Sequence, residues 1–200
     1  MQVTTAGPSI VKSVRQRQLL NAWLRLAASY GSLPEVASYD IDRLEEEKPD
    51  MMFYDVSHET GAPRYLVTYD GQRLIDAYGV SGRGQYLETI IGPERAAVTL
   101  PIYDQCVARR RPSYSVRQVV DVNGRQVDYE RLLLPFGDTT GVRNIIASFK
   151  TISEDGAFQQ KDLMRTSNAS AEHVINAIID QGDDARRSYR SAAPADIVEI

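Results

Sequence analysis

Two hundred residues carry 23 basic and 27 acidic side chains, and the net charge of -4 disfavours long-range attraction to nucleic acid or an anionic membrane. One cysteine, Cys106, excludes an intrachain disulfide and any cysteine-cluster metal site. The apolar runs are too short for a membrane span and the N-terminus lacks the order of a signal peptide, so a cytoplasmic protein without membrane insertion is expected.

Pro8 and Ser9 precede IVKSVRQRQLLNAWLRLAASYG, a predicted helix that ends near Gly31 with Pro34 beyond it. Leu20, Trp23, Leu24 and Ala27 recur at three-to-four spacing, and Leu19, Ala22 and Leu26 form a second stripe beside them. Two readings follow. Both stripes are wedged into the helix's own domain, or one covers that domain and the other meets a second chain in a homodimer.

The polar stretch LPEVASYDIDRLEEEKPD reads as a loop with one or two helical turns. Two strands follow, MMFYDV (51–56) and RYLVTYD (64–70), joined by SHETGAP. Short helices are expected over Gln72 to Tyr78 and Gly84 to Ile91. Pro93 then opens a helical region that Pro101 kinks or restarts and that must stop before Pro112. Arg109, Arg110 and Arg111 at its end complement the helix dipole.

Ser113 to Val122 and Arg125 to Phe136 form a predicted antiparallel hairpin about Asn123 and Gly124, because the type I′ turn favours that pair. Counting outward from the turn sets Arg117 opposite Glu130 and Val120 opposite Val127. Leu132, Leu133 and Leu134 are consecutive, and successive strand residues point to opposite faces, so this part of the sheet must be covered on both sides.

After the turn FGDTTG, VRNIIASFKTI is a last strand. Phe158 to Asp180 reads as a second long helix carrying Ala171, Val174, Ile175, Ile178 and Ile179, and the remainder as a mobile tail. The expected class is α+β, with a five-stranded antiparallel sheet, short helices on one face and flanking N- and C-terminal helices. The segments are residues 1–32 for the first flanking helix, 33–152 for the core and 153–200 for the last helix and tail.

This order and its motifs resemble the PAS fold, in particular a PAS-type domain family common in alphaproteobacteria and largely uncharacterised. The resemblance runs roughly from Leu19 to Ile152. It rests on LLNAWLRL, on MMFYDV with its aspartate, and on the glycine-punctuated YDGQRLIDAYGVSGRGQYLETI. It rests also on YDQCVARRRP and, most specifically, on YERLLLPF in its strand context. It implies a sensory and interaction module in which sheet and short helices enclose a pocket while flanking helices dimerise and relay signals.

Enzyme signatures are scarce. GVSGRG has Arg83 where G-x-S-x-G needs its second glycine, and neither G-x-x-x-x-G-K-[ST] nor H-E-x-x-H occurs. His58 and His173 read as ordinary surface histidines, no metal site is expected, and SAEHVINAI lacks a histidine-kinase phosphoacceptor sequence. No histidine precedes the hairpin as in haem PAS sensors, and YDQCVARR does not match the GRNCRFLQ-like motif of light-oxygen-voltage flavin domains. No cofactor is therefore expected, although a small ligand is compatible with the fold.

Tyr78, Tyr86, Tyr103 and Tyr114 cluster where the resemblance puts a pocket, and a tyrosine suits an amphipathic ligand as well as it suits a core. Arg83 and Arg131 either meet an anionic ligand by their fork geometry or make internal pairs. With Cys106 these residues make up the candidate ligand pocket. The expected function is a non-enzymatic PAS regulator that binds a partner, such as a histidine kinase or another signalling protein. The alternatives are a ligand sensor that moves its flanking helices and, after that, a small-molecule enzyme.

Overall fold

The computed structural model describes residues 3–39, 45–58, 61–120, 126–153 and 172–180. Seven strands form one sheet: β1 (Thr4–Ala6), β2 (Met51–Ser57), β3 (Arg64–Asp70), β4 (Ser113–Val120), β5 (Gln126–Gly137), β6 (Val142–Ser153) and β7 (Glu172–Ile179). Their order is β1-β7-β4-β5-β6-β2-β3, antiparallel throughout except for the parallel pair of β1 and β7. The expected five-stranded antiparallel sheet is the contiguous run β4-β5-β6-β2-β3, with β7 and β1 added at its β4 side, and the class is α+β. Among the described residues the helices are α1 (Val14–Tyr30), α2 (Gln72–Tyr78) and α3 (Leu87–Arg109).

The strand β7 corrects the expected C-terminal helix. Val174, Ile175, Ile178 and Ile179 satisfy a helical spacing, but all four are β-branched, and β4 offers β7 a free ladder edge on which Ser113 pairs with Ile178 and Val116 with Ile175. The sheet thereby gains strands from outside the expected core, at 4–6 and 172–179. The rest of that proposed helix, the tail beyond residue 180 and the Asn123-Gly124 turn lie outside the described residues.

Register explains the leucine run. Tyr114 pairs with Leu132, Leu132 with Ser148 and Met51 with Ser148, and these side chains share an outer face. Ser113, Leu133, Ala147 and Met52 share the inner one. Leu132, Leu133 and Leu134 are all sealed from solvent, because α1 covers the outer face and α2 and α3 the inner. The hairpin register itself is one residue away from the expected one. Val116, not Arg117, is opposite Glu130, and Arg117 faces Tyr129, so Arg117 and Glu130 lie on different faces and form no pair.

Ser13 caps α1 by accepting the Gln16 N–H, and Gly31 ends it in the left-handed region (φ 68°), donating to the Ala27 carbonyl. Gln16, Leu19, Leu20, Trp23 and Leu24 are its buried face, so members of both predicted stripes are consumed within this chain. Ala22, Leu26 and Ala27 are half-buried against the same core.

Three polar groups fix α1 on the sheet. Gln16 donates through Nε2 to the Ser148 carbonyl (2.9 Å), Trp23 through Nε1 to the Pro135 carbonyl (2.7 Å), and the Ser13 N–H to Glu130 Oε2 (3.3 Å). Pro135 is tolerated in a central strand because the pairing of β4 with β5 stops at Leu133, leaving no ladder partner there for a missing N–H.

The inner cover is less regular. Predicted and observed α2 coincide, whereas the two helices expected around Pro93 form one element, α3, broken at Gly92 (φ 76°). Only glycine takes that conformation without strain, and Pro93 suits the first turn of the piece that follows.

Candidate functional site

The inner face of β7, β4, β5 and β6 carries a set of polar side chains without partners. One cross-strand row reads Asn176, Ser115, Arg131, Phe149, since Ser115 pairs with both Asn176 and Arg131, and Arg131 with Phe149. The next row holds Arg117 and Tyr129, and the row on the other side holds Ser113 beside Ile178 and Leu133.

Arg131 is only 6% exposed. Its Nε and Nη1 are sealed and make no hydrogen bond, and no carboxylate among the described residues pairs with it. Rings surround the guanidinium instead, with the centroids of Tyr103, Phe149 and Tyr129 at 5.5, 5.7 and 5.9 Å. A cation over a ring face gains about 0.5 to 2 kcal/mol, and these distances are near the outer limit of that attraction. Withdrawing a guanidinium from water costs several kcal/mol, so the rings offset only part of it. The group stays charged, because arginine is not deprotonated in proteins.

Four further buried donors nearby make no close hydrogen bond: Arg117 Nε, Ser113 Oγ, Asn176 Nδ2 and Tyr129 Oη, whose polar neighbour is the half-buried Tyr78. Burial, and then the charge of Arg131, push the Arg117 guanidinium below its ordinary value. Burial raises the Tyr129 hydroxyl well above the usual phenol range, so it too is a donor at neutral pH.

The half of the inner face toward β2 and β3 is different. The Tyr54 and Tyr103 hydroxyls are 3.1 Å apart, with the rings edge-on at 5.4 Å, and Tyr54 also reaches the Met52 sulfur. Tyr65 donates to Asp104 at 2.6 Å. Burial raises the Asp104 carboxyl from its ordinary value, and the Tyr65 hydrogen bond draws it back.

Of the residues singled out from the sequence, Tyr103, Cys106 and Arg131 are buried between α3 and the inner face, and Tyr78, half-buried at the end of α2, faces Tyr129. Cys106 donates to the Arg111 carbonyl, and burial pushes its thiol up. Tyr86 lies at the β3 edge, where the Arg64 guanidinium rests 3.5 Å from its ring centre. Arg83 is exposed in the connection from α2 to α3 and does not join Arg131. Tyr114 is on the outer face, where its hydroxyl accepts the Lys12 N–H, so it lines no inner site.

Arg117, Tyr129, Ser113 and Asn176 escaped sequence reasoning. Arg117 and Ser113 needed the correct register, Tyr129 needed only the alternation that puts it on the face of Arg131, and Asn176 needed β7.

Among the described residues no group of three or more His, Cys, Asp and Glu side chains could hold a metal, and no helix is long and apolar enough to cross a membrane. No family model and no curated protein matches the chain. Solved structures similar to it include the PAS domain of Bordetella pertussis BvgS, 19% identical over 56% of this chain and 88% of that one, with a TM-score of 0.40. A light-oxygen-voltage domain studied with a flavin analogue is 17% identical over 57% of this chain and 85% of that one (TM-score 0.41). The light-state domain of the blue-light photoreceptor Aureochrome1 is 18% identical over 58% and 91% (TM-score 0.36). The solved structures that this chain is similar to are thus a PAS domain and two light-oxygen-voltage domains.

Proposed function

We propose that this protein is a sensory and regulatory module of a signalling system, in which a small ligand on the inner face of the sheet alters the seating of α1 on the outer face and so the binding of a partner protein. The observation that carries this reading is a pair of neighbours on one central strand. Arg131 points inward, without a counter-charge among the described residues, while Glu130 points outward and accepts the N–H of Ser13, the residue that caps α1. A strand that shifts to bring Arg131 onto a ligand carries Glu130 with it. The start of α1 is tied to the same strands a second time, through Lys12, whose ammonium lies 2.9 Å from Asp128 on β5 and whose N–H bonds Tyr114 on β4.

The partner acts beyond this chain, and a histidine kinase or another signalling protein suits the role. A second copy of the chain is a partner of the same kind. Leu19, Leu20, Trp23 and Leu24 are spent on the sheet, so pairing through α1 would use Ala22, Leu26 and Ala27.

The experiment is native mass spectrometry of the protein isolated from its own host, followed by hydrogen exchange before and after any retained molecule is removed. The expected result is a stoichiometric small molecule whose loss speeds exchange in the first turn of α1. Protein that retains nothing, and that takes up nothing from a host metabolite extract, would overturn the ligand-driven reading.

A further inference from the structure

The unpartnered groups on the inner face have one property in common: as placed, they are donors. Arg131 Nε and Nη1, Arg117 Nε, Ser113 Oγ and Asn176 Nδ2 are buried without an acceptor, and Tyr129 Oη has only the half-buried Tyr78 beside it, on three adjacent rows of β7, β4 and β5. Such a patch spans roughly 10 Å across the strands and about 14 Å along them, the scale of a small molecule. Buried polar groups are normally paired, and unpaired ones persist where another function holds them. On the outer face of these strands, Gln16, Trp23 and Glu130 each have at least one partner. The inner donors share two guanidinium charges on diagonal positions of neighbouring strands, with no carboxylate paired to either among the described residues.

We infer that this patch binds a small organic carboxylate with a planar apolar body, the carboxylate on the Arg131 and Arg117 forks and the body among Tyr103, Tyr129 and Phe149. This rests on the ligand-driven reading above and gives its ligand a chemical class.

Three features select that class. The two oxygens of a carboxylate match the guanidinium fork, and each accepts more than one hydrogen bond, so Arg131 and a Tyr129 or Ser113 hydroxyl can share them. Phosphate sites characteristically gather backbone N–H groups at a nest or a helix N-terminus, whereas the central residues here lie between two hydrogen-bonded ladders and offer side chains only. The ring faces around Arg131 supply a surface on which a planar apolar group stacks, which inorganic anions do not use.

Because Nε and Nη1 of Arg131 are sealed, the ligand exchanges ring contacts for its own, and the cover must give. That cover is in two pieces joined at Gly92, with Tyr103 on the second piece and Tyr78 at the end of α2.

The test uses benzoate, its neutral analogue benzamide and inorganic phosphate on the full chain. Arginine Nε–Hε NMR resonances report the site, with the Arg131 signal assigned by its loss in Arg131→Met. Saturable movement of that signal with benzoate but not with benzamide, and benzoate binding at least about tenfold weaker in both Arg131→Met and Arg117→Met, are the expected results. Equal binding of benzoate and benzamide, unchanged in Arg131→Met, would overturn the carboxylate assignment and leave the ligand-driven reading standing. Phosphate binding at the Arg131 resonance as tightly as benzoate would overturn the organic class. If neither organic probe binds with Kd below about 10 mM and the host-purified protein releases no small molecule, both readings fall together. If a substitution prevents folding, the contrast between benzoate and benzamide is read on the wild-type chain over its whole set of arginine Nε–Hε resonances, and equal movement with both probes would overturn the carboxylate assignment.

Discussion

The two faces of the sheet use most of their polar groups in different ways, although Gln16 Oε1 on the outer face is also buried without a partner. On the outer face every bond is an anchor: Gln16 to Ser148, Trp23 to Pro135, Ser13 to Glu130 and Lys12 to Tyr114 each tie α1 or the turn before it to a strand. On the inner face over β4 and β5, Arg131, Arg117 and Ser113 hold buried donor atoms that tie nothing to anything. Desolvating a polar group without a partner costs about 1 to 3 kcal/mol, and more for a charge. Folding alone selects the first arrangement, while the second makes sense only if stability is not what those residues are for.

The outer face should therefore break most severely. Trp23→Ala removes a sealed indole and its hydrogen bond to Pro135, and should cost about 3 to 5 kcal/mol, read as a lower urea midpoint at unchanged slope. A loss below about 1 kcal/mol would mean that α1 is not an anchor.

Arg131→Met should go the other way. Replacing an unpartnered buried cation by an apolar chain of similar length removes the desolvation cost and keeps the packing against Tyr103 and Phe149, so the protein should gain about 1 to 4 kcal/mol. A clear loss in the same denaturation series would make Arg131 a structural residue and abolish the contrast between the faces.

How much of that contrast the amino acids reveal depends on the period involved. Leu132 to Leu134 told of a sheet covered twice, since no half-exposed strand tolerates three such residues in a row, and both covers are present. The order of β2, β3, α2, α3, β4, β5 and β6 followed from glycine, proline and alternation. Register did not. A two-residue turn at Asn123-Gly124 would put Arg117 opposite Glu130, and a shift of one residue turns Arg117 inward to the site. A surface charge pair and a half-buried cation without a carboxylate partner among the described residues thus differ by one position in the ladder. The segment Glu172–Ile179 was misread for another reason: its apolar residues satisfy both periods, and the free edge of β4 that decides between them is a tertiary feature.

A matched pair of hydroxyl deletions sharpens the comparison within the inner face. Tyr54→Phe takes from Tyr103 its hydroxyl partner and should cost about 0.5 to 1.5 kcal/mol. Tyr129→Phe removes a hydroxyl that makes no close hydrogen bond and has only the half-buried Tyr78 beside it, and its stability should be unchanged or higher. Equal losses for the two would show that Tyr129 has a structural partner.

The smallest effect is a dependence on pH, and its sign separates the faces once more. Burial raises the Glu130 carboxyl above its ordinary value of 4.5, although the Tyr114 hydroxyl, the Ser13 N–H and Lys12 draw it back. Between 4.5 and its raised folded value, Glu130 holds more proton in the native chain than in the unfolded one. Stability then falls as pH rises through that window, because the slope follows the protons bound unfolded minus those bound native. Glu130→Gln cannot titrate, yet its amide oxygen can still accept the Ser13 N–H. The stability of the variant relative to the parent should therefore be lowest near pH 4, climb as Glu130 ionises, and level off above its folded value. Asp104, also raised, and Asp138, lowered by Thr140, are present in both proteins and cancel in the difference. Urea midpoints of both proteins at several pH values provide the measurement. A difference that is flat with pH, or that falls as pH rises, would mean that the bonds to Ser13 and Tyr114 outweigh burial and hold Glu130 as an ordinary ionised cap on α1.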